Sequence, residues 1–89
     1  MSVLYITTQG AYLRSQAGRY VVTHQDQEIT AVPEVAVEGV VLMGNIQVST
    51  HATQALLDAG IPLIYLTRNG RIRGLLQPGY PRNAAVRLA

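Results

Sequence analysis

Val40-Val41-Leu42-Met43 is an unbroken apolar run held between Gly39 and Gly44. It is too short for a helix, and a strand with one wet face would alternate apolar with polar residues. The run therefore reads as a strand buried on both faces. Such a strand wants a partner surface, and the composition agrees. Apolar residues make up 48% of the chain and charged residues only 13%, against about 25% in an average soluble domain. At 89 residues the chain is one domain at most.

Strands surround this run. Val3 to Thr8 is β-branched and aromatic, and Gln9-Gly10 can break it. Ala11 to Ser15 follows, closed by Gln16-Ala17-Gly18. In Arg19 to His24, Tyr20 and Val22 share one face, Val21 and Thr23 the other. Gln25-Asp26-Gln27 turns the chain into Glu28 to Val32, which Pro33 ends for want of an amide hydrogen. Strands at this spacing predict an antiparallel meander over the first third. Ile46 and Val48 continue the pattern beyond Asn45. One helix is predicted next. Ser49 or Thr50 caps it, Ala52, Ala55, Leu56 and Ala59 form its apolar stripe, and Gly60 and Pro62 stop it. Its small residues predict close packing against a sheet. Ile61 to Thr67 is again a strand. Asn69-Gly70 predicts a two-residue hairpin turn with both residues at positive φ, and Arg71 to Leu76 as the returning strand.

With a two-residue turn, Arg68 faces Arg71 and Leu66 faces Arg73, so Arg68, Arg71 and Arg73 share one face of the hairpin. Like charges placed so are either solvated or waiting for an anion such as phosphate. All seven basic residues are arginine, against five acids. A source genome rich in arginine codons accounts for the first fact. The net charge of +2 is too small to announce a polyanion binder by itself.

Other chemistry finds little support. The chain has no cysteine, which removes disulfides, thiolate metal sites and cysteine nucleophiles. His24 and His51 have no ligand partners at metal-site spacing. Asp26, Glu28, Glu34, Glu38 and Asp58 are scattered and read as solvated. No serine lies in a nucleophile-elbow context, and no glycine pattern cradles a phosphate. The five tyrosines read as core or interface residues. No run approaches a membrane span and no signal peptide is visible, so a soluble, cytoplasmic protein is the expectation. Gln77 to Pro81 reads as a linker. Arg82 to Ala89 has helical propensity and stops abruptly, as a fragment of a longer protein would.

The order LYITTQGAYLR, then EITAVPEVAVEGVVLMGNIQVST, then the small-residue helix, then AGIPLIYLTRNGRIRGLL resembles the CRISPR-associated spacer-acquisition integrase family. Members are metal-dependent DNA endonucleases (the first CRISPR-associated protein). The resemblance runs from residue 3 to about residue 76 and is to the N-terminal β domain. It implies a mainly β fold with one α-helix, a small two-sheet β-sandwich-like domain over residues 1–76. Residues 77–89 would then be the linker and the start of a truncated helical domain. It implies that the domain pairs with its twin in a homodimer and helps hold DNA, with Arg68, Arg71 and Arg73 toward the duplex. The partners implied are DNA (protospacer and CRISPR repeat) and the small second CRISPR-associated adaptation protein, with no membrane. The family's catalytic glutamate, histidine and aspartate, which bind Mg²⁺ or Mn²⁺, lie in the helical domain and match nothing here. No cofactor is expected in these residues, and alone they are expected neither to cut nor to join DNA. Some members stack a tyrosine on the duplex end, where this chain has Gln9. Two other readings stand beside this one. One is a purely structural homodimerisation module without nucleic-acid contact. The other is a single-strand binder of the OB type, which needs exposed aromatics on a sheet face.

Overall fold

The computed structural model describes residues 2–77. The elements run β1 (Ser2–Ile6), β2 (Tyr12–Gln16), β3 (Arg19–His24), β4 (Gln27–Pro33), a 3-10 turn (Glu34–Ala36), β5 (Val37–Met43), β6 (Gln47–Val48), α1 (Thr50–Asp58), β7 (Leu63–Leu66) and β8 (Ile72–Leu76). The strands form two four-stranded sheets, β1-β5-β7-β8 and β4-β3-β2-β6. The expected two-sheet, one-helix architecture is what the described residues adopt.

β5 is the central feature. Val40 and Leu42 are fully buried in the core between the sheets, and Val41 on the opposite face is only 8% exposed. β5 pairs in parallel with both β1 and β7. Parallel neighbours need a crossover, and β6 with α1 provides it between β5 and β7. Ile6, Leu13, Tyr20, Val22, Leu56, Ile61 and Leu63 complete the core with β5.

The meander is confined to β2, β3 and β4, which pair antiparallel in sequence order. Val3 to Thr8 does not belong to it. β1 crosses to the other sheet and pairs with β5. Leu4 and Ile6 belong on the core side of that sheet, and β5, buried on both faces, takes a strand on each edge. The two meander turns are tight. Ala17 and Gly18 have φ of 53° and 77°, and Gln25 and Asp26 have 54° and 65°. Successive positive φ values are the left-handed geometry that suits the twist of a hairpin.

α1 begins at Ser49, whose hydroxyl accepts from the Ala52 amide at 3.0 Å. Ala52 and Leu56 are buried, and the helix packs against β2. Ala59 is exposed and serves as the C-cap instead of extending the apolar stripe. Ile46 and Val48 do not prolong β5. Gly44, at φ 93°, turns the chain away, and β6 joins β2 in the other sheet.

The β7–β8 hairpin differs from the two-residue expectation. The Gly70 amide donates to the Thr67 carbonyl (2.9 Å), the Thr67 amide to the Arg71 carbonyl (2.8 Å), and the Arg71 amide to Thr67 Oγ1 (3.1 Å). Arg68, Asn69 and Gly70 therefore form a three-residue loop in which only Gly70, at φ 89°, is left-handed. Such a loop places one left-handed residue after a type I turn and keeps the twist of the strands. Leu66 then faces Ile72, and the register shifts between Tyr65 and Leu66. Leu66 does not face Arg73, and Arg73 is the extra residue of a bulge.

Candidate functional site

The parallel strands β1, β5 and β7 end on one rim of the molecule. Three connections meet there: residues 7–11, Gly44 to Ile46, and Thr67 to Arg71. They are tied together by backbone and by one side chain. The Gly10 amide donates to the Asn45 carbonyl at 2.7 Å, and the Gly44 amide to the Leu66 carbonyl at 2.9 Å. Gln9 Nε2 donates to the Thr7 carbonyl (3.0 Å) and the Met43 carbonyl (2.9 Å), while Gln9 Oε1 accepts from the Asn45 amide (2.8 Å). A Cβ on Gly44 would overlap the Gln9 carboxamide, so glycine is needed there for space as well as for φ.

These connections frame a cleft of about 520 Å³ lined by Gln9, Gly44, Asn45, Ile46, Tyr65, Arg68 and Arg73. Ligands of open sheets with parallel strands bind outside the carboxyl ends of those strands, and this cleft lies at such ends. No acid lines it. Gln9 is committed to the backbone, so the polar groups left to a ligand are the guanidinium groups of Arg68 and Arg73, the side-chain carboxamide of Asn45 and the Tyr65 hydroxyl. That donor set favours an anion, and guanidinium is matched to phosphate.

The sequence grouped Arg68, Arg71 and Arg73 on one face. All three are exposed, but only Arg68 and Arg73 line the cleft. The loop carries Arg68 over it and the bulge delivers Arg73 to it. Arg71 stands outside. Gln9, Asn45 and Tyr65 were not singled out as a group from sequence. Gln9-Gly10 and Gly44-Asn45 both read as punctuation, and that shared signal could have marked the two loops as meeting.

His24 lies against Gly10, where an added Cβ would sit 3.6 Å from the ring. Glu34 accepts a hydrogen bond from the Ser15 hydroxyl at 2.9 Å. Among the described residues no three of His, Cys, Asp and Glu come together as a metal would require. Among them too, no helix is long and apolar enough to cross a membrane.

Tyr20 is the one buried polar side chain without a protein partner at its hydroxyl among the described residues. Burial raises its pKa above the usual tyrosine value, and the nearby Glu34 carboxylate adds to the rise. The tyrosines divide as their surroundings dictate. Tyr20 is in the core, Tyr65 packs against it, and Tyr5 is 66% exposed.

Fold and cleft together define a small two-sheet β domain with an acid-free, arginine-lined cleft at the carboxyl ends of its parallel strands. Residues 4–89 match the family described as CRISPR associated protein Cas1, and the chain belongs to that family as its N-terminal domain. It is 35% identical over 72 residues to a CRISPR-associated endonuclease Cas1 of Thermus thermophilus, covering 81% of this chain and 23% of the relative. Among solved structures it is similar to a partial Cas6-RT-Cas1–Cas2 complex, with a TM-score of 0.82 at 20% identity, over 92% of this chain and 25% of the other. It is also similar to a Cas1–DNA complex, with a TM-score of 0.75 at 18% identity, over 88% and 29%. The chain spans about a quarter of the length of the curated relatives it matches.

Proposed function

We propose that this chain is the dimerisation and DNA-holding domain of a metal-dependent CRISPR-associated endonuclease and integrase, which inserts new spacers into the CRISPR array. The observation that carries this reading is the acid-free cleft with Arg68 and Arg73 at the carboxyl ends of three parallel strands. Contacts from guanidinium to phosphate are independent of sequence, which suits an enzyme that must accept arbitrary DNA. A solved relative in complex with DNA and another in complex with Cas2 support DNA and that small protein as partners.

Homodimerisation is supported by the outer face of the sheet that holds β5. Tyr5, Ile72 and Leu75 project there, each at least half exposed, beside Val3 and Val41. A contiguous apolar face of this kind is usually covered, and a two-fold copy is the commonest cover. The metal, Mg²⁺ or Mn²⁺, and the groups that ligate it belong to the remainder of the longer protein. On this reading residues 1–76 are the β domain, residues 77–89 lead into the helical one, and the whole works in the cytoplasm.

Arg68→Ala with Arg73→Ala in the longer protein tests the DNA-holding role. Duplex affinity is expected to fall by about tenfold at moderate salt, and the salt slope by about two, one per lost phosphate contact. Arg71→Ala, outside the cleft, is expected to cost less. Unchanged affinity in the double variant would leave a structural dimerisation module as the better description.

A further inference from the structure

The cleft at the carboxyl ends of β1, β5 and β7 offers more than its two guanidinium groups. At about 520 Å³ it falls in the range of small-molecule sites, roughly 300–1,000 Å³, and has far more room than one phosphate fills. Ile46 and Tyr65 line it beside Arg68 and Arg73, and both also pack against the core. The Asn45 backbone is fixed at both its polar groups, with its amide donating to Gln9 Oε1 and its carbonyl accepting from the Gly10 amide. Its side-chain carboxamide, at once donor and acceptor, has no partner among the described residues.

Gly74 adds an observation that anion binding alone leaves unexplained. It stands directly across from Tyr65 in the β7–β8 ladder, so a side chain there would lie beside the tyrosine on the same face. Its φ is not positive, so no turn requires glycine, and the bulged residue is Arg73. An added Cβ would meet no atom within 4 Å, so no neighbour requires glycine either. Glycine inside a strand weakens the strand, and one place it is found is where a ligand approaches closely. Here it leaves the space beside Tyr65 open.

A paired nucleotide would use little of this, because its base is stacked inside the duplex and only its phosphate reaches a concave surface. We propose that the cleft seats one unpaired nucleotide of a DNA strand. Its phosphate lies on Arg68 and Arg73, its base against Tyr65 in the space that Gly74 leaves, and its base edge toward the Asn45 carboxamide. Stacking on an aromatic ring accepts any base, and a carboxamide that both donates and accepts can meet the edge of any base. The seat therefore distinguishes unpaired from paired DNA and not one sequence from another. This role presupposes the DNA-holding reading and adds to it which part of a DNA end the domain holds.

The test compares DNAs on the longer protein by fluorescence anisotropy: a blunt duplex, the same duplex with a few unpaired nucleotides at one end, and that end with abasic sugars. Unpaired nucleotides are expected to tighten binding about tenfold, the contribution of one stacked base, and abasic sugars to return it to the blunt value. Gly74→Val fills the space beside Tyr65, and Tyr65→Leu removes the ring. Each is expected to abolish the gain without moving the affinity for the blunt duplex. Gly74→Val is also expected to keep or raise the urea midpoint, because it replaces a strand glycine without a clash, so its loss of binding is not misfolding. An iodouracil base among the unpaired nucleotides is expected to photo-crosslink within β7. No gain from unpaired nucleotides, a gain that survives both variants, or crosslinks that avoid the cleft would overturn the proposal. Failure of the DNA-holding reading looks different: Arg68→Ala with Arg73→Ala would then leave the affinity for every one of these DNAs unchanged.

Discussion

The Gln9 carboxamide holds three backbone groups, one in its own connection, one at the end of β5 and one in the connection after it, and Gly44 leaves it the room to do so. Each such bond is worth about 1 kcal/mol net. Gln9→Ala is expected to cost about 2 kcal/mol in urea unfolding. Gly44→Ala puts a methyl group into that carboxamide and strains a φ of 93°. It is expected to cost about 2–3 kcal/mol alone and about 1 kcal/mol less in the Gln9→Ala background, because the clash is then gone and only strain remains. Additive costs would mean the two residues act separately. Tyr20 offers a pH test. Its folded pKa is raised, so below about pH 10 both states keep the proton and its ionisation does not affect stability. Above that value the unfolded chain loses its proton first, and stability falls as pH rises toward the folded pKa. Tyr20→Phe is expected to flatten this alkaline fall. It is also expected to leave neutral-pH stability unchanged or up to about 1 kcal/mol higher, since an unpaired buried hydroxyl is removed. Neither residue's role was legible in the sequence. Gln9 reads as loop punctuation and Tyr20 as one more core aromatic, and both roles depend on groups far away along the chain.

Among the elements, α1 was the most legible. Its cap, stripe and stop are all local, and the structure keeps them, apart from Ala59 at the exposed end. Ser49→Ala is expected to cost about 1 kcal/mol, read as a lower urea midpoint with an unchanged slope. A smaller loss would mean that packing on β2 fixes the helix start without the cap. The β7–β8 hairpin was legible as an element and misread in register. Asn-Gly favours a two-residue turn, but the Thr67 hydroxyl takes the Arg71 amide and opens the loop by one residue. That residue moves Arg73 into a bulge and separates Arg71 from Arg68 and Arg73 at the cleft. The bulge cancels the extra loop residue, so Tyr65 faces Gly74 as a two-residue turn would place it, and the change is confined to the loop end of the hairpin. The arginine cluster was therefore legible as a cluster but not as a site.

At the scale of the molecule, charge is arranged by place. The described residues carry five charges of each sign, so among them the local arginine cleft, not a general field, is what favours an anion. The apolar outer face makes the matching prediction for assembly. Ile72 and Leu75 are 76% and 50% exposed, so replacing both with glutamate is not expected to disturb the core. The double variant of the longer protein is expected to show half the solution mass by light scattering, with its far-UV spectrum intact. An unchanged mass would move the dimer interface elsewhere.

The strands, the helix and the double burial of β5 could be read from the chain because periodicity, capping and turn chemistry act over a few residues. Which strand lies beside which could not. The hydrogen-bonding edge of β5 accepts β1 from more than thirty residues upstream, and nothing near either strand announces it. The cleft was hidden for the same reason. Its walls come from three connections that are neighbours only once β1, β5 and β7 lie side by side, and that choice is made by packing across the two sheets.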